Sequence, residues 1–238
     1  MSLISNNLQV VRADLIAAAN AAGRLPEEIS LMAVSKTFDE HAVLAAAASG
    51  QRIFGENYVQ EAVDKMNRAR LLAPDLHLDW HFIGPIQSNK TKLIAENFAW
   101  VHSVDREKIA QRLSEQRPAD AAPLNICIQV NISKEESKSG VMPEDCISLA
   151  EYVVQLPHLT LRGLMAVPRA SDDVAEQRLA FRQLRQLQDQ VQSALGMRAK
   201  LDTLSMGMSG DMQAAIAEGS TMVRIGSNIF GKRTYAAA

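Results

Sequence analysis

The chain has 238 residues, 47% of them hydrophobic, enough for one large barrel or doubly wound domain and too apolar for general disorder. Lys and Arg number 25 against 27 Asp and Glu, and aromatics are 5%, which excludes the basic excess and the stacking surface of a general nucleic-acid binder. Two cysteines, Cys127 and Cys146, form no CxxC and no disulfide framework, and ten methionines fit a reducing compartment. The first periodic segment carries Arg12 and Asp14, so it is read as no signal peptide, and the longest apolar run, 42–48, is too short to span a bilayer. A cytoplasmic protein without membrane or nucleic-acid partners is expected.

Leu3, Leu8, Val11 and Leu15 recur at helical spacing and predict an opening helix that ends near Gly23 and Pro26. Short apolar or β-branched runs at 31–35, 52–54, 80–83, 100–103, 125–130, 161–166, 201–205 and 222–225 are the predicted strands. Between them lie helical faces, one carried by Val59, Ala62, Val63 and Met66, another by Phe181, Leu184, Leu187, Val191 and Leu195. Asp105 and Ser171 stand where N-caps belong, Pro143 at a first helical position, and a helix is expected over 211–217. Strands alternating with helices imply parallel pairing through right-handed crossovers, and eight such units predict an α/β fold, a single (β/α)8 TIM-type barrel with an extra N-terminal helix. An open doubly wound sheet is the alternative, because spacing alone does not prove closure. The domain is read as 1–238, with 1–30 the helix and lead-in and 31–235 the barrel.

In such barrels the chemistry sits where the strands end. There the sequence places Lys36, then Glu56 and Asn57, Gly84 and Gln87, Ser103, Asn131, the SMGMSG run from Ser205 through Ser209, and Arg224 followed by Gly226 and Ser227. A lysine amine short of water loses its proton and attacks an aldehyde; an ion pair with Glu56 is the plainer role for Lys36. The glycines and hydroxyls of the last two loops suit a phosphate, although ordinary glycine turns look the same. Alternation aims Arg224 into the barrel mouth, toward a carboxylate such as Glu56 or toward a cofactor ring nitrogen. His77, Asp79 and His81 alternate on one strand face, as metal ligands or as a hydrogen-bonded barrel histidine with neighbours; no metal is expected. Lys134, Lys138, Lys232 and Arg233 read as solvated charges, with a secondary anion surface the other option. GxGxxG, Walker-type, HExxH and GxSxG patterns are absent.

Five segments in order, AVSKTF (33–38), FGENYVQE (54–61), WHFIGPIQSNK (80–90), LSMGMSGDM (204–212) and VRIGSNIFG (223–231), resemble the YggS/PROSC family of pyridoxal 5′-phosphate homeostasis proteins, related in fold to the N-terminal barrel of bacterial alanine racemase. The resemblance runs from about Leu31 to the end. It implies that Lys36 holds the cofactor aldehyde as an internal aldimine, with Asn57 beside the ring. Ser209, with Gly226 and Ser227, holds the phosphate, Ser205 is the reserve hydroxyl, and Arg224 faces the pyridine nitrogen. Relatives carry threonine where this chain has Ser227, and the hydroxyl is kept.

Pyridoxal phosphate withdraws electrons best with its ring nitrogen protonated, and a charged Arg224 disfavours that proton. Racemisation also needs a base on each face of the ring, and the related racemases draw the second from an additional domain. Tyr58 and Tyr152 occupy no obviously suitable loop. The expectation is a monomeric carrier of pyridoxal phosphate in vitamin B6 homeostasis, without catalytic residues, that serves apo pyridoxal phosphate enzymes. A pyridoxal phosphate-dependent amino-acid racemase with a partner's base, and a Schiff-base aldolase for a sugar phosphate, are the alternatives.

Overall fold

The computed structural model describes residues 2–231. The chain runs α1 (Leu3–Ala21), β1 (Ser30–Val34), α2 (Glu40–Ala48), β2 (Ile53–Glu56), α3 (Val59–Leu72), β3 (Asp79–Phe82), α4 (Thr91–Asn97) and β4 (Trp100–Val104). It continues through α5 (Glu107–Gln116), β5 (Leu124–Gln129), α6 (Cys146–Val153), β6 (Leu159–Met165), α7 (Val174–Leu195), β7 (Thr203–Ser205), α8 (Met212–Ala217), β8 (Met222–Ile225) and α9 (Ser227–Phe230).

The eight strands form a closed barrel in sequence order, which removes the open-sheet alternative. Closure is made by β8 lying parallel to β1, with Ser30 opposite Met222 and Ala33 opposite Ile225. Strands this apolar bury both faces, outward against the helix ring and inward into the barrel. The inward side is unusually polar. Trp100, His81 and His102 stack there, Arg162 lies 4.8 Å over the Trp100 ring, and Arg162 is paired with Asp202 at 2.8 Å. Such a packed plug leaves the mouth at the strand C-terminal ends as the place for a ligand.

Helix α1 is capped by the Ser2 hydroxyl, which accepts from the Ser5 N–H, and buries Leu8, Val11, Leu15, Ala18 and Ala19. It packs on α8 and α9. Its flank is pinned by Asn7 donating to the Ile229 carbonyl at 3.0 Å and Arg12 to the Ser49 carbonyl at 2.7 Å. The extra helix therefore braces the last βα units against the first. It ends as predicted, with Gly23 in the left-handed region and Pro26 opening a 3₁₀ turn.

Two predicted caps are corrected. Helix α5 starts one residue later than expected, with extended Arg106 at the N-cap position, and Asp105 instead pairs with the Arg106 guanidinium at 2.6 Å. At α7 the cap is Asp173, whose carboxylate accepts from the Ala175 N–H at 2.8 Å; Ser171 sits in the preceding turn, accepting from Asp173 N–H and donating to Glu176. The carboxylate is the stronger acceptor for an orphan amide at a positive helix end. Pro143 begins the 3₁₀ turn that leads into α6. Among the described residues no helix is long and apolar enough to cross a membrane.

Candidate cofactor site

The expected site residues come from four strands that are neighbours in the barrel, β7, β8, β1 and β2. Lys36 is half-buried two residues beyond β1, Asn57 follows β2 directly, Ser205 ends β7, and Arg224 lies within β8 with Gly226 just after it. Gly226 closes on β1, where a Cβ on it would sit 3.3 Å from the Val34 carbonyl. The Phe38 ring stacks on Phe230 at 5.1 Å, so the turn that carries Lys36 is tied to the helix that Ser227 begins.

Arg224 is buried and its guanidinium is held by main-chain oxygens. One Nη donates to the Ser205 carbonyl at 2.6 Å and to Ser205 Oγ at 3.0 Å, and the other to the Ala166 carbonyl at 3.0 Å. Burial pulls its pKa down from the usual arginine range, against the favourable charge of Asp211. The charge thus stands at the mouth without a carboxylate among its hydrogen-bond partners. Glu56, read in the sequence as a partner for Arg224 or Lys36, is engaged elsewhere. Its Oε1 accepts from Ser35 Oγ at 2.6 Å and from Lys65 Nζ at 2.7 Å, and its Oε2 has no hydrogen-bond partner. Burial pushes the Glu56 carboxyl up, with Lys65 pulling the other way. Lys65, only 3% exposed inside α3, was missed by sequence reasoning. Its one local signal is Glu61, four residues before it on the same helix.

Asn57 keeps a buried Oδ1 without a hydrogen-bond partner. Its backbone is pressed against Gly84, whose carbonyl is fixed by Ser103 Oγ at 2.6 Å. A Cβ at Gly84 would come within 2.2 Å of the Asn57 carbonyl oxygen and 2.7 Å of its Cα. Gly84→Ala must therefore move main chain, and a destabilisation of about 2 to 3 kcal/mol is expected by urea unfolding.

Ser205 is engaged by Arg224, whereas Ser209 and Ser227 are exposed. Ser209 and Gly210 line a groove of about 440 Å³ with Asn228. Asp14, Asp172 and Asp211 line the same groove, and three acids make it a poor host for phosphate. The phosphate reading therefore leans on the turn at Gly226 and Ser227. Tyr58 is exposed beside Asn57 in a groove of about 390 Å³ with Gln87 and Lys90. Tyr152 lies on α6, its hydroxyl 3.4 Å from Gln111 on α5.

His81 does not gather with His77. Its Nδ1 lies 2.9 Å from His102 Nε2, its Nε2 lies 3.3 Å from Asp79, and His77 is exposed. Among the described residues no three metal-binding side chains come together. Lys134 pairs with Glu144 at 3.1 Å and Lys138 with Glu135 at 2.9 Å. Lys232 and Arg233 lie outside the described residues.

A closed parallel barrel with a lysine, a buried arginine and a hydroxyl-bearing glycine turn at neighbouring strand ends defines a (β/α)8 barrel of the small-molecule-binding kind. The chain belongs to the family described as alanine racemase, N-terminal domain, which matches residues 7–234. A relative from Pseudomonas aeruginosa named pyridoxal phosphate homeostasis protein is 58% identical over 237 residues, covering 100% of this chain and 99% of that one. Among solved structures, PipY of Synechococcus elongatus with PLP bound is 35% identical with a TM-score of 0.82, over 96% of this chain and 100% of that one. Alanine racemase from Corynebacterium glutamicum, 18% identical with a TM-score of 0.69, shares the fold over 95% of this chain and 60% of its own.

Proposed function

We propose that this protein binds pyridoxal 5′-phosphate through the amine of Lys36 and acts in intracellular vitamin B6 homeostasis, without turning over an amino acid. The observation that carries this reading is the end-to-end likeness to PipY with PLP bound, on a chain whose Lys36, Asn57, Arg224 and Gly226 lie on neighbouring strand ends. The residues suit the group. Asn57 offers a buried oxygen in want of a donor, Gly226 opens the short turn that carries Ser227, and Arg224 supplies a fixed positive charge. In this reading Ser227 gives its hydroxyl to the phosphate, and Ser205 acts by holding Arg224.

Bound pyridoxal phosphate supplies an aldehyde and an electron-withdrawing ring. Arg224, anchored on carbonyls, would disfavour a proton on the ring nitrogen by like-charge repulsion. That weakens carbanion chemistry and favours storage. Delivery to apo enzymes that use the cofactor follows as its purpose.

The test adds pyridoxal phosphate to the purified protein, reduces with borohydride and maps the label by peptide mass. Label on the Lys36 peptide is the expected result, and none on any peptide overturns the reading. The same sample is then incubated with both enantiomers of a panel of amino acids in deuterium oxide. No solvent deuterium at the α-position is expected; incorporation at a catalytic rate that depends on Lys36 makes the protein a racemase-type enzyme instead.

A further inference from the structure

Lys65 is a buried ammonium in the middle of a helix, and such a charge persists only with several partners. It donates to Glu56 Oε1 at 2.7 Å, to the Ser35 carbonyl at 2.7 Å and to Glu61 Oε1 at 3.1 Å. Ser35 Oγ donates to the same Glu56 oxygen at 2.6 Å, and the Thr37 N–H donates to the same Glu61 oxygen at 2.7 Å. The two residues that flank Lys36 are thus both hung from one ammonium, Ser35 directly and through Glu56, Thr37 through Glu61.

The Thr37 backbone adds an independent sign. Its φ of 69° is left-handed, a conformation that is strained for a β-branched residue and persists only where the surroundings hold it. The Glu61 carboxylate on its N–H is that hold. A turn so constrained sets the direction in which the Lys36 side chain leaves the barrel rim.

We infer that Lys65 is a positioning residue for Lys36, fixing the β1–α2 turn through Glu56 and Glu61 so that the Lys36 amine is presented to its aldehyde ligand. This inference rests on the cofactor reading above for the ligand, but the ordering of the turn does not. Lys65 touches no ligand in this scheme; it acts through the turn.

The test compares Lys65→Met, Glu61→Ala and Glu61→Gln with the parent. Glu61 is partly exposed, so its variants retain the fold where loss of the buried ammonium endangers it. Two readouts are taken: deuterium exchange of the backbone amides from 35 to 38, and the rate at which borohydride-fixable pyridoxal phosphate appears on Lys36. Losing one charge-assisted hydrogen bond on the turn is expected to slow that uptake about tenfold. In Lys65→Met and Glu61→Ala exchange quickens in the turn and not in β5 or β6, and Glu61→Gln, which keeps the acceptor for Thr37, restores both readouts. Exchange unchanged in the turn, or uptake at the parent's rate despite faster exchange, overturns the inference. If the parent itself takes up no label, the cofactor reading falls, and the exchange comparison alone decides whether Lys65 orders the turn.

Discussion

Lys36→Ala is expected to remove all borohydride-fixable pyridoxal phosphate while leaving the fold intact. An amine and an aldehyde make a covalent bond that reduction renders permanent, and alanine has no nucleophile to offer. The tethers of the turn run through Ser35 and Thr37, which the substitution leaves in place, so unfolding free energy is expected to change by less than about 1 kcal/mol. Arg224, Asn57, Gly226 and Ser227 also stay. Reversible binding of the cofactor by dialysis therefore weakens by roughly a hundredfold, about 2.7 kcal/mol, without vanishing. Label that persists in Lys36→Ala and maps to Lys134 or Lys138 moves the anchor to the loop after β5. Label unchanged at every peptide removes Lys36 from the site.

In the proposed reading Lys36 and Arg224 play different parts in holding the cofactor, and what would set a holder apart from a racemase is the lack of a second base on the other face of the ring. Lys36 would supply attachment, and Arg224, clamped by the Ser205 and Ala166 carbonyls, a fixed positive charge. A site of this kind would hold the aldehyde and weaken, without abolishing, the electron sink that turnover uses. The resemblance in fold to racemases fits this division, because fold is shared across functions and the chemistry is set by particular groups.

The barrel was legible because strands buried on both faces carry nearly continuous apolar runs, and eight of them alternate with amphipathic helices. Boundaries slipped where a polar residue belongs to a strand. The predicted strand stops at Phe54 and leaves Glu56 beyond it, yet β2 ends on Glu56 itself, since Lys65 and Ser35 satisfy its carboxylate inside the protein. Alternation pointed Arg224 inward correctly, but its partners are main-chain oxygens, which no side-chain pattern reveals. Lys65 was invisible for a related reason. A single lysine on a helix reads as solvated unless its acceptors are known, and one of them lies nine residues away on another element. His81 is the hydrogen-bonded barrel histidine of the plainer reading, with Asp79 beside it and His77 away, and its partner His102 was not visible because the register of β4 sets it.

That histidine pair makes the protein acid-sensitive, with stability expected to fall steeply below about pH 6.5, the value of a histidine in the unfolded chain. Both rings are buried within the barrel, 2.9 Å apart, so one donates to the other and at least one must be neutral. Burial lowers the pKa of His81, with Asp79 opposing it; burial lowers that of His102 further, reinforced by His81 and Arg224. Between the unfolded value and these depressed ones, the unfolded chain takes up protons that the fold refuses. Stability is then full above pH 7 and is lost as pH falls, by about 1.4 kcal/mol per pH unit for each histidine and up to about 2.7 for both while they stay neutral. Glu56 runs the other way, since a carboxyl pushed up by burial gains its proton more readily in the fold, and it offsets the histidine loss wherever its titration overlaps theirs. Urea unfolding at pH 7.5, 6.5 and 5.5 measures the slope, and His102→Gln should lessen it by about the share of one histidine. Ring-proton shifts in the native protein supply the second check. If either imidazole titrates near its ordinary value in the fold, or the urea midpoint is flat across this range, the barrel interior admits the proton and the pair is no acid liability.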